Sequence, residues 1–207
     1  MKRKLTNTVL IGCALFVAQL AVRIYLYFRP HITPPFVMPL LNHSLRRWYH
    51  RHTLQSLALQ HGQRVLEIGG GTGVFTFDLA AQITPGLLCT TDLQTPMVRA
   101  LVRRVDRVGR SNIAVVRADA QALPFKRHSF DAAIMIAVLP MLRDRQRALR
   151  ETLRVLRLGG HLLVSEEVIA PEYVPPAVTR RWLRRAEFTI VDQCLGLWCY
   201  SVVADKL

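Results

Sequence analysis

The chain has 207 residues, 51% of them hydrophobic, and a formal net charge of +14 at neutral pH. This length accommodates one α/β domain, whose hydrophobic core is large enough to be stable without disulfide or metal cross-links. The four cysteines are scattered and form no C-x-x-C pair and no Cys/His cluster, so they exclude a disulfide scaffold and predict no metal site. The positive charge has two interpretations, a GC-rich coding background or attraction to an anionic surface of lipid headgroups or nucleic acid.

The N-terminal segment predicts a membrane anchor. A basic start, Met1–Lys4, precedes an uncharged apolar run from Leu5 to Val22, and Arg23 and an aromatic patch over Ile24–Phe28 follow. The run is near the lower limit for a spanning helix, and the aromatic residues suit a membrane interface. We therefore predict a single transmembrane helix over residues 1–28, with a cleaved signal peptide or an interfacial helix as the alternatives.

A Pro-rich linker over residues 29–43 separates this anchor from a domain over residues 44–207. Its four prolines forbid a continuous helix. The domain is predicted to begin with a helix from Ser44 to about Gln60. Three arginines of this helix are expected to be exposed, and two aromatic residues are candidates for a lid or for plain packing. These residues are Arg46, Arg47 and Arg51, and Trp48 and Tyr49.

The centre of the domain is a strand, a glycine-rich turn and a helix. An apolar run ends at Ile68, and the pattern E-x-G-x-G-x-G begins at Glu67 and places glycines at Gly69, Gly71 and Gly73. Glycine lets the backbone turn tightly and approach a ligand, and the next helix directs its free N–H groups toward that ligand. The pattern differs from the G-x-G-x-x-G of dinucleotide folds and from a P-loop.

Carboxylates stand at the ends of the next two predicted strands. Asp92 follows the run 87–91, and Asp119 follows 113–117. A carboxylate at the tip of the second strand is placed to accept hydrogen bonds from both ribose hydroxyls, and helix capping is the alternative for these acids.

Strands alternate with helices along the rest of the chain, which predicts a Rossmann-like, doubly wound α/β sheet. A helix over 143–157 is expected to end at Gly159-Gly160. A short helix from Pro176 to Arg185 precedes a C-terminal hairpin. The strands are expected near 63–68, 87–91, 113–117, 130–136, 161–166, 188–194 and 198–204, and the other helices near 73–82 and 95–108.

Five segments over residues 60–167 resemble, in order and spacing, the class I S-adenosylmethionine-dependent methyltransferases of the ubiquinone-biosynthesis type. They are Val65–Gly73, Asp92, Ala118–Ala120 with Leu123–Phe125, Phe130-Asp131 and Arg154–Gly160. The resemblance implies a mostly parallel sheet closed by an antiparallel hairpin, and S-adenosyl-L-methionine as cofactor.

The resemblance also implies a role for each cofactor-binding residue. Glu67 is expected near the methionine ammonium, Asp92 at the ribose and Asp119 at the adenine amino group. The glycine loop (Gly69, Gly71 and Gly73), Leu93 and Ala120 complete the predicted site.

The methyl acceptor is expected beyond the fourth strand, where the chain reads Val138-Leu139-Pro140-Met141. This apolar wall favours an apolar or thiol-like acceptor, and the Asn-Pro-Pro-Tyr motif of amino-methylating enzymes does not follow this strand. Glu166 and Glu167, at the tip of the fifth strand, are the acids aimed at this side. Either is a candidate base or orienting group, and the alternative is a pair of exposed loop carboxylates.

Three functions compete. The leading hypothesis is a membrane-anchored methyltransferase that acts on a lipophilic small molecule: a quinone precursor, a phospholipid headgroup or a thiol. In outline, the layout also resembles small membrane-bound thiol methyltransferases. A nucleic-acid methyltransferase and a non-catalytic membrane adaptor are the alternatives. The domain is placed on the cytoplasmic face because S-adenosylmethionine is made in the cytosol, and an Arg-rich surface is expected to face the lipid headgroups. That surface is Arg46, Arg47, Arg51, Arg180, Arg181, Arg184 and Arg185.

Overall fold

The computed structural model describes residues 46–47, 50–168, 170 and 172–207. The predicted anchor over 1–28, the linker over 29–43, the cap at Ser44 and the two lid candidates, Trp48 and Tyr49, lie outside these residues. Within the described part of the chain, the longest helix has 14 residues, and none is long and apolar enough to cross a bilayer.

The described residues form one seven-stranded sheet in the order β3-β2-β1-β4-β5-β7-β6. Strands β1 to β5 run parallel to one another, and β7 pairs antiparallel with both β5 and β6. The Rossmann-like sheet with a C-terminal antiparallel hairpin is thus confirmed. The strands are β1 (Arg64–Ile68), β2 (Leu87–Asp92), β3 (Ile113–Arg117), β4 (Phe130–Ile136), β5 (Leu156–Glu167), β6 (Thr189–Leu195) and β7 (Cys199–Asp205).

Helices cover both faces of the sheet, because successive residues of a strand point to opposite faces. On one face, Leu149 and Leu183 pack with Leu162 of β5; on the other, Leu54 and Leu79 pack with Leu163. The helices are α1 (Arg51–Ser56), α2 (Thr76–Ile83), α3 (Thr95–Val108), α4 (Arg145–Val155) and α5 (Pro176–Arg185), with a 3₁₀ turn at Leu139–Met141.

Two predicted helix ends are wrong. Helix α4 ends at Val155 rather than at Gly159-Gly160, because Leu156 is already extended and starts β5. The two glycines lie in the irregular first part of that strand, where Gly159 has φ +68°. The first helix of the domain ends at Ser56 rather than near Gln60, since Ala58 adopts a positive φ of 46°.

The topology fixes where a ligand can bind. Strand order reverses between β1 and β4, and the ligand crevice of such sheets lies outside the carboxyl ends of the strands at this point. The glycine turn after β1 and the 3₁₀ turn after β4 border this crevice.

Candidate functional site

The glycine turn between β1 and α2 has the tight conformation that the sequence predicts. Gly69, Gly71 and Gly73 have φ values of +75°, +56° and +84°. The N–H groups of Gly69 and Gly70 donate to the carbonyl of Thr91 at 2.8 and 3.0 Å, which ties the turn to the end of β2. The backbone therefore rests directly on the second strand.

The turn forms a cradle that is filled on two sides and open on one. A Cβ on Gly69 would lie 2.4 Å from Cγ2 of Val138, and one on Gly73 would lie 2.5 Å from Cδ1 of Leu101. A Cβ on Gly71 would meet no atom within 4 Å. The backbone at Gly71 is thus accessible to a ligand, which fits the close approach that S-adenosylmethionine requires.

A buried carboxylate, Glu67, and a half-buried one, Asp92, flank this open side. The Thr76 hydroxyl donates to Oε2 of Glu67 at 2.6 Å, while the N–H groups of Gly71 and Gln94 donate to Asp92 at 3.0 and 2.8 Å. Burial raises the pKa of Glu67 and of Asp92, because the protein around them solvates a negative charge less well than water does. Carboxylates at this position can accept hydrogen bonds from a ligand ammonium or hydroxyl, so this pair is compatible with an amino acid and a ribose.

The remaining predicted cofactor residues lie at the ends of β2 and β3. The N–H of Ala118 donates to the carbonyl of Asp92 at 3.1 Å, which holds the two strand ends together. Asp119 accepts from the Gln121 backbone at 2.9 Å, Ala120 is buried, and Leu93 is exposed. All eight predicted cofactor residues therefore line the carboxyl edge of β1, β2 and β3, and their individual roles stay predictions.

Glu166 and Glu167 end β5 as buried side chains, so the alternative of exposed loop carboxylates is wrong. Glu166 is 1% exposed, and its Oε1 has no hydrogen-bond partner in the described part of the chain. Burial, and then the charge of Glu167, raise the pKa of Glu166 well above its usual value, although the N–H of Leu139 donates to this carboxyl group. The raised pKa favours the protonated form of Glu166, in which it can itself donate a hydrogen bond.

Glu167 points to the opposite face of the sheet and is fully engaged there. It accepts from Nε of Arg46 at 2.7 Å and lies 3.0 Å from Nε2 of His50, which is completely buried. Burial opposes its ionisation, yet the hydrogen bond to His50 and the Arg46 charge hold the pKa of Glu167 below its usual value. Burial lowers the pKa of His50. The cluster therefore consists of an arginine cation, a carboxylate and a neutral imidazole that donates to it.

This cluster was not predicted from the sequence, which assigned Arg46 to an exposed surface. The His50 ring packs edge-on against Phe75 with centroids 5.0 Å apart, and the Arg46 guanidinium lies 5.5 Å from the same ring. Phe75 immediately precedes α2. The cluster thus joins the start of the domain, the end of the glycine turn and the tip of β5.

The apolar wall lies next to the glycine cradle. Leu139 and Pro140 are buried in the 3₁₀ turn after β4, while Val138 contacts Gly69. The described residues contain no group of His, Cys, Asp and Glu side chains that could hold a metal ion. The arrangement combines a ligand cradle, an apolar wall and a buried acid at one edge of the sheet.

Comparisons with known proteins show what this part of the chain is similar to. A family model described as a methyltransferase domain matches residues 66–164. The chain is 35% identical over 129 residues to the ubiquinone/menaquinone biosynthesis C-methyltransferase UbiE of Pasteurella multocida, covering 61% of this chain and 48% of that protein. It is 36% identical over 128 residues to UbiE of Ectopseudomonas mendocina, covering 61% and 50%. The chain therefore spans about half the length of these curated relatives.

Solved structures agree on the fold. A SAM-dependent methyltransferase from Aquifex aeolicus superimposes with a TM-score of 0.79 at 20% identity, over 85% of this chain and all (100%) of that one. The [4+2]-cyclase SpnF superimposes with a TM-score of 0.65 at 21% identity, over 72% and 76%. Because one of these two structures is named for a cyclisation, the fold alone does not determine the reaction.

Proposed function

We propose that this chain is a class I S-adenosylmethionine-dependent methyltransferase, as its matched domain, its curated relatives and its fold support, and that it transfers the cofactor's methyl group to a lipophilic small molecule at a membrane. One observation carries the acceptor class: the apolar wall lies directly against the cofactor cradle, at the contact between Val138 and Gly69. The acceptor must approach the methyl group along this wall.

When bound, S-adenosylmethionine supplies a methyl group on a sulfonium, which already is a good leaving group. The protein has to bind, orient and exclude water. Asp92 would accept hydrogen bonds from the ribose hydroxyls, and Glu67 would face the methionine ammonium. Asp119 would accept from the adenine amino group, with Ala120 and Leu93 beside it. The family resemblance implies these assignments, and the position of each residue at the carboxyl edge of the sheet is compatible with them.

The acceptor side offers apolar contacts and one polar group. Leu139 and Pro140 are buried behind this wall, so the half-buried Val138 and Met141 are the residues that can face an acceptor. A strongly polar acceptor would leave its groups without partners there, which costs binding free energy. Glu166 has one unpartnered oxygen, whereas Glu167 is held by Arg46 and His50. We therefore favour Glu166 over Glu167 as the group that contacts a hydroxyl or carbonyl oxygen of the acceptor.

A quinone precursor fits this pocket, since it combines an apolar ring with such oxygens. The names of the curated relatives, which refer to ubiquinone and menaquinone biosynthesis, support the same class. An apolar thiol and a phospholipid headgroup are the other acceptors of the proposal. The anchor over residues 1–28 and the arginines of α5 would hold the domain on the cytoplasmic face of the membrane.

The test is transfer of a labelled methyl group from S-adenosylmethionine into isolated membranes, followed by separation of neutral lipids, phospholipids, thiols and nucleic acid. We expect label in the neutral-lipid fraction and much less of it with the Asp92→Ala variant at a subsaturating cofactor concentration. Label in nucleic acid would refute the proposal. Binding of the cofactor without transfer to any fraction would instead favour the membrane adaptor.

A further inference from the structure

The turn between β6 and β7 presents large apolar side chains to solvent. Leu195 is 66% exposed, Leu197 81% and Trp198 47%, and Val168 beside them is also exposed. The N–H of Val168 donates to the carbonyl of Trp198 at 2.9 Å, so the four residues form one patch, which we call the hairpin tip. No residue from 193 to 200 carries a charge.

The hairpin tip lies at the same edge of the sheet as the candidate site. Glu167, at the end of β5, pairs with Cys199 at the start of β7, and Leu195 pairs with Tyr200. Val168 is therefore one residue beyond the carboxylate that holds Arg46 and His50. The tip projects past the carboxyl ends of the parallel strands, where the cradle and the apolar wall are.

The N-terminal part of the chain arrives at this edge. Residues 1–45 lead into Arg46, whose side chain lies 2.6 Å from Oε1 of Glu167, and Arg47 after it is exposed. In the sequence, the uncharged run from Leu5 to Val22 precedes Arg46. The described chain thus begins beside the carboxylate that adjoins the hairpin tip.

We propose that the hairpin tip inserts into the interfacial layer of a lipid membrane and directs the site toward it. Leucine side chains gain free energy on leaving water, and tryptophan favours the membrane–water interface. The absence of charge from residues 193–200 removes the main cost of insertion, and the net charge of +14 attracts the domain to anionic lipid. The inference rests on the membrane-borne acceptor of the proposed function and names the surface that reaches it.

The experiment measures whether Trp198 contacts acyl chains. The full chain contains three tryptophans, so Trp48→Phe and Trp182→Phe leave Trp198 as the single fluorophore. This protein is reconstituted into phosphatidylcholine–phosphatidylglycerol vesicles with or without brominated acyl chains. We expect the brominated lipid to quench the emission relative to the unbrominated vesicles, since an interfacial tryptophan lies close to the acyl chains. The double variant Leu195→Ser/Leu197→Ser should lose this quenching.

A matched control replaces two apolar residues of similar exposure at the opposite edge of the sheet. Val108 is 53% exposed at the end of α3, and Leu158 is 66% exposed near the start of β5. Val108→Ser/Leu158→Ser should keep full quenching. A thermal shift with S-adenosylhomocysteine checks that every variant folds.

Three outcomes overturn the inference: no quenching in the folded parent, equal quenching in both double variants, or a dimer in sedimentation that only Leu195→Ser/Leu197→Ser dissociates. The last outcome would assign the tip to a second copy of the chain. Methyl transfer to membrane lipid is measured in the same preparations. If methyl transfer persists without quenching, only the insertion of the hairpin tip is refuted. If transfer is lost while quenching remains, only the proposed function is refuted.

Discussion

Removing the charge of Glu167 tests whether the cluster with Arg46 and His50 fixes the start of the domain to β5. The change Glu167→Gln keeps one acceptor oxygen but takes away the negative charge that lies 2.7 Å from Nε of Arg46 and 3.0 Å from Nε2 of His50. Removing one member of a buried ion pair costs about 3–5 kcal/mol. Because an amide oxygen still accepts, we expect the lower end, about 3 kcal/mol of unfolding free energy.

The assay is equilibrium unfolding in guanidinium chloride, with the midpoint and slope compared between variants. Arg157→Gln is the control, since Arg157 pairs with Asp131 at 2.9 Å while its side chain is 55% exposed. Exposed pairs contribute less than about 1 kcal/mol, so the control should scarcely move the midpoint. Equal losses in the two variants would refute the argument that burial makes the cluster stabilising.

The pH dependence provides a second check on the same cluster. The pKa of Glu167 is lower in the folded state than its usual value of 4.5, so its stabilising contribution is present above that pH and is lost as the pH falls through the folded value. The pKa of His50 is also lowered, which adds a loss of stability below pH 6.5. The difference in unfolding free energy between the parent and Glu167→Gln should therefore shrink below about pH 4.5.

Three further predictions concern the site. Asp92→Ala should weaken binding of S-adenosylhomocysteine by about 1–3 kcal/mol in calorimetry, because it removes a buried acceptor of charge-assisted hydrogen bonds; unchanged affinity would contradict its ribose role. Gly70→Ala should abolish cofactor binding, since a Cβ there would lie 2.1 Å from Oγ1 of Thr90 and 2.9 Å from Oε2 of Glu67. Gly109→Ala is the control, because a Cβ at Gly109 meets nothing within 4 Å. This control should cost about 1–2 kcal/mol of stability, owing to its left-handed backbone, and leave the affinity for cofactor intact. Glu166→Gln should gain thermal stability over the parent as the pH rises from 5 to 8, because the raised pKa of Glu166 makes its ionisation in the fold increasingly costly; a pH-independent difference would show that this carboxyl group is solvated.

The sheet and the cofactor edge could be predicted because their determinants are local in the chain. Buried parallel strands are continuous apolar runs, and β1, β3 and β4 match the predicted bounds to within one residue. Asp92 and Asp119 follow strands directly, so their place at the edge follows from chain order. The predicted end of α4 was wrong because a Gly-Gly pair is equally typical of a helix end and of an irregular strand. The pairing of β5 with β4 decides in favour of the strand.

The charged cluster could not be predicted, because its contacts join distant parts of the chain. His50 and Glu167 are 117 residues apart, and no motif or spacing connects them. Their meeting depends on α1 packing across the sheet and on β7 pairing with β5 at Glu167. A basic helix with neighbouring arginines is typical of a solvated surface, and only the fold shows that one of these arginines faces inward.

The position of α5 decides which surface can orient the site toward a membrane. This helix precedes β6, whose first residue, Thr189, pairs with Asp205, and Asp205 pairs with His161 near the amino end of the parallel part of β5. Arg184 and Arg185 therefore lie toward the opposite edge from Glu167, while Arg180, which hydrogen-bonds to Gln193, lies nearer the hairpin. Because the C-terminal end of α5 and the hairpin tip lie toward opposite edges of the sheet, a flat lipid surface that contacts the tip cannot also contact that end of the helix. In the proposed orientation, the arginines of α5 would add attraction along the side of the domain, and the uncharged hairpin tip would set the direction in which the acceptor reaches the apolar wall.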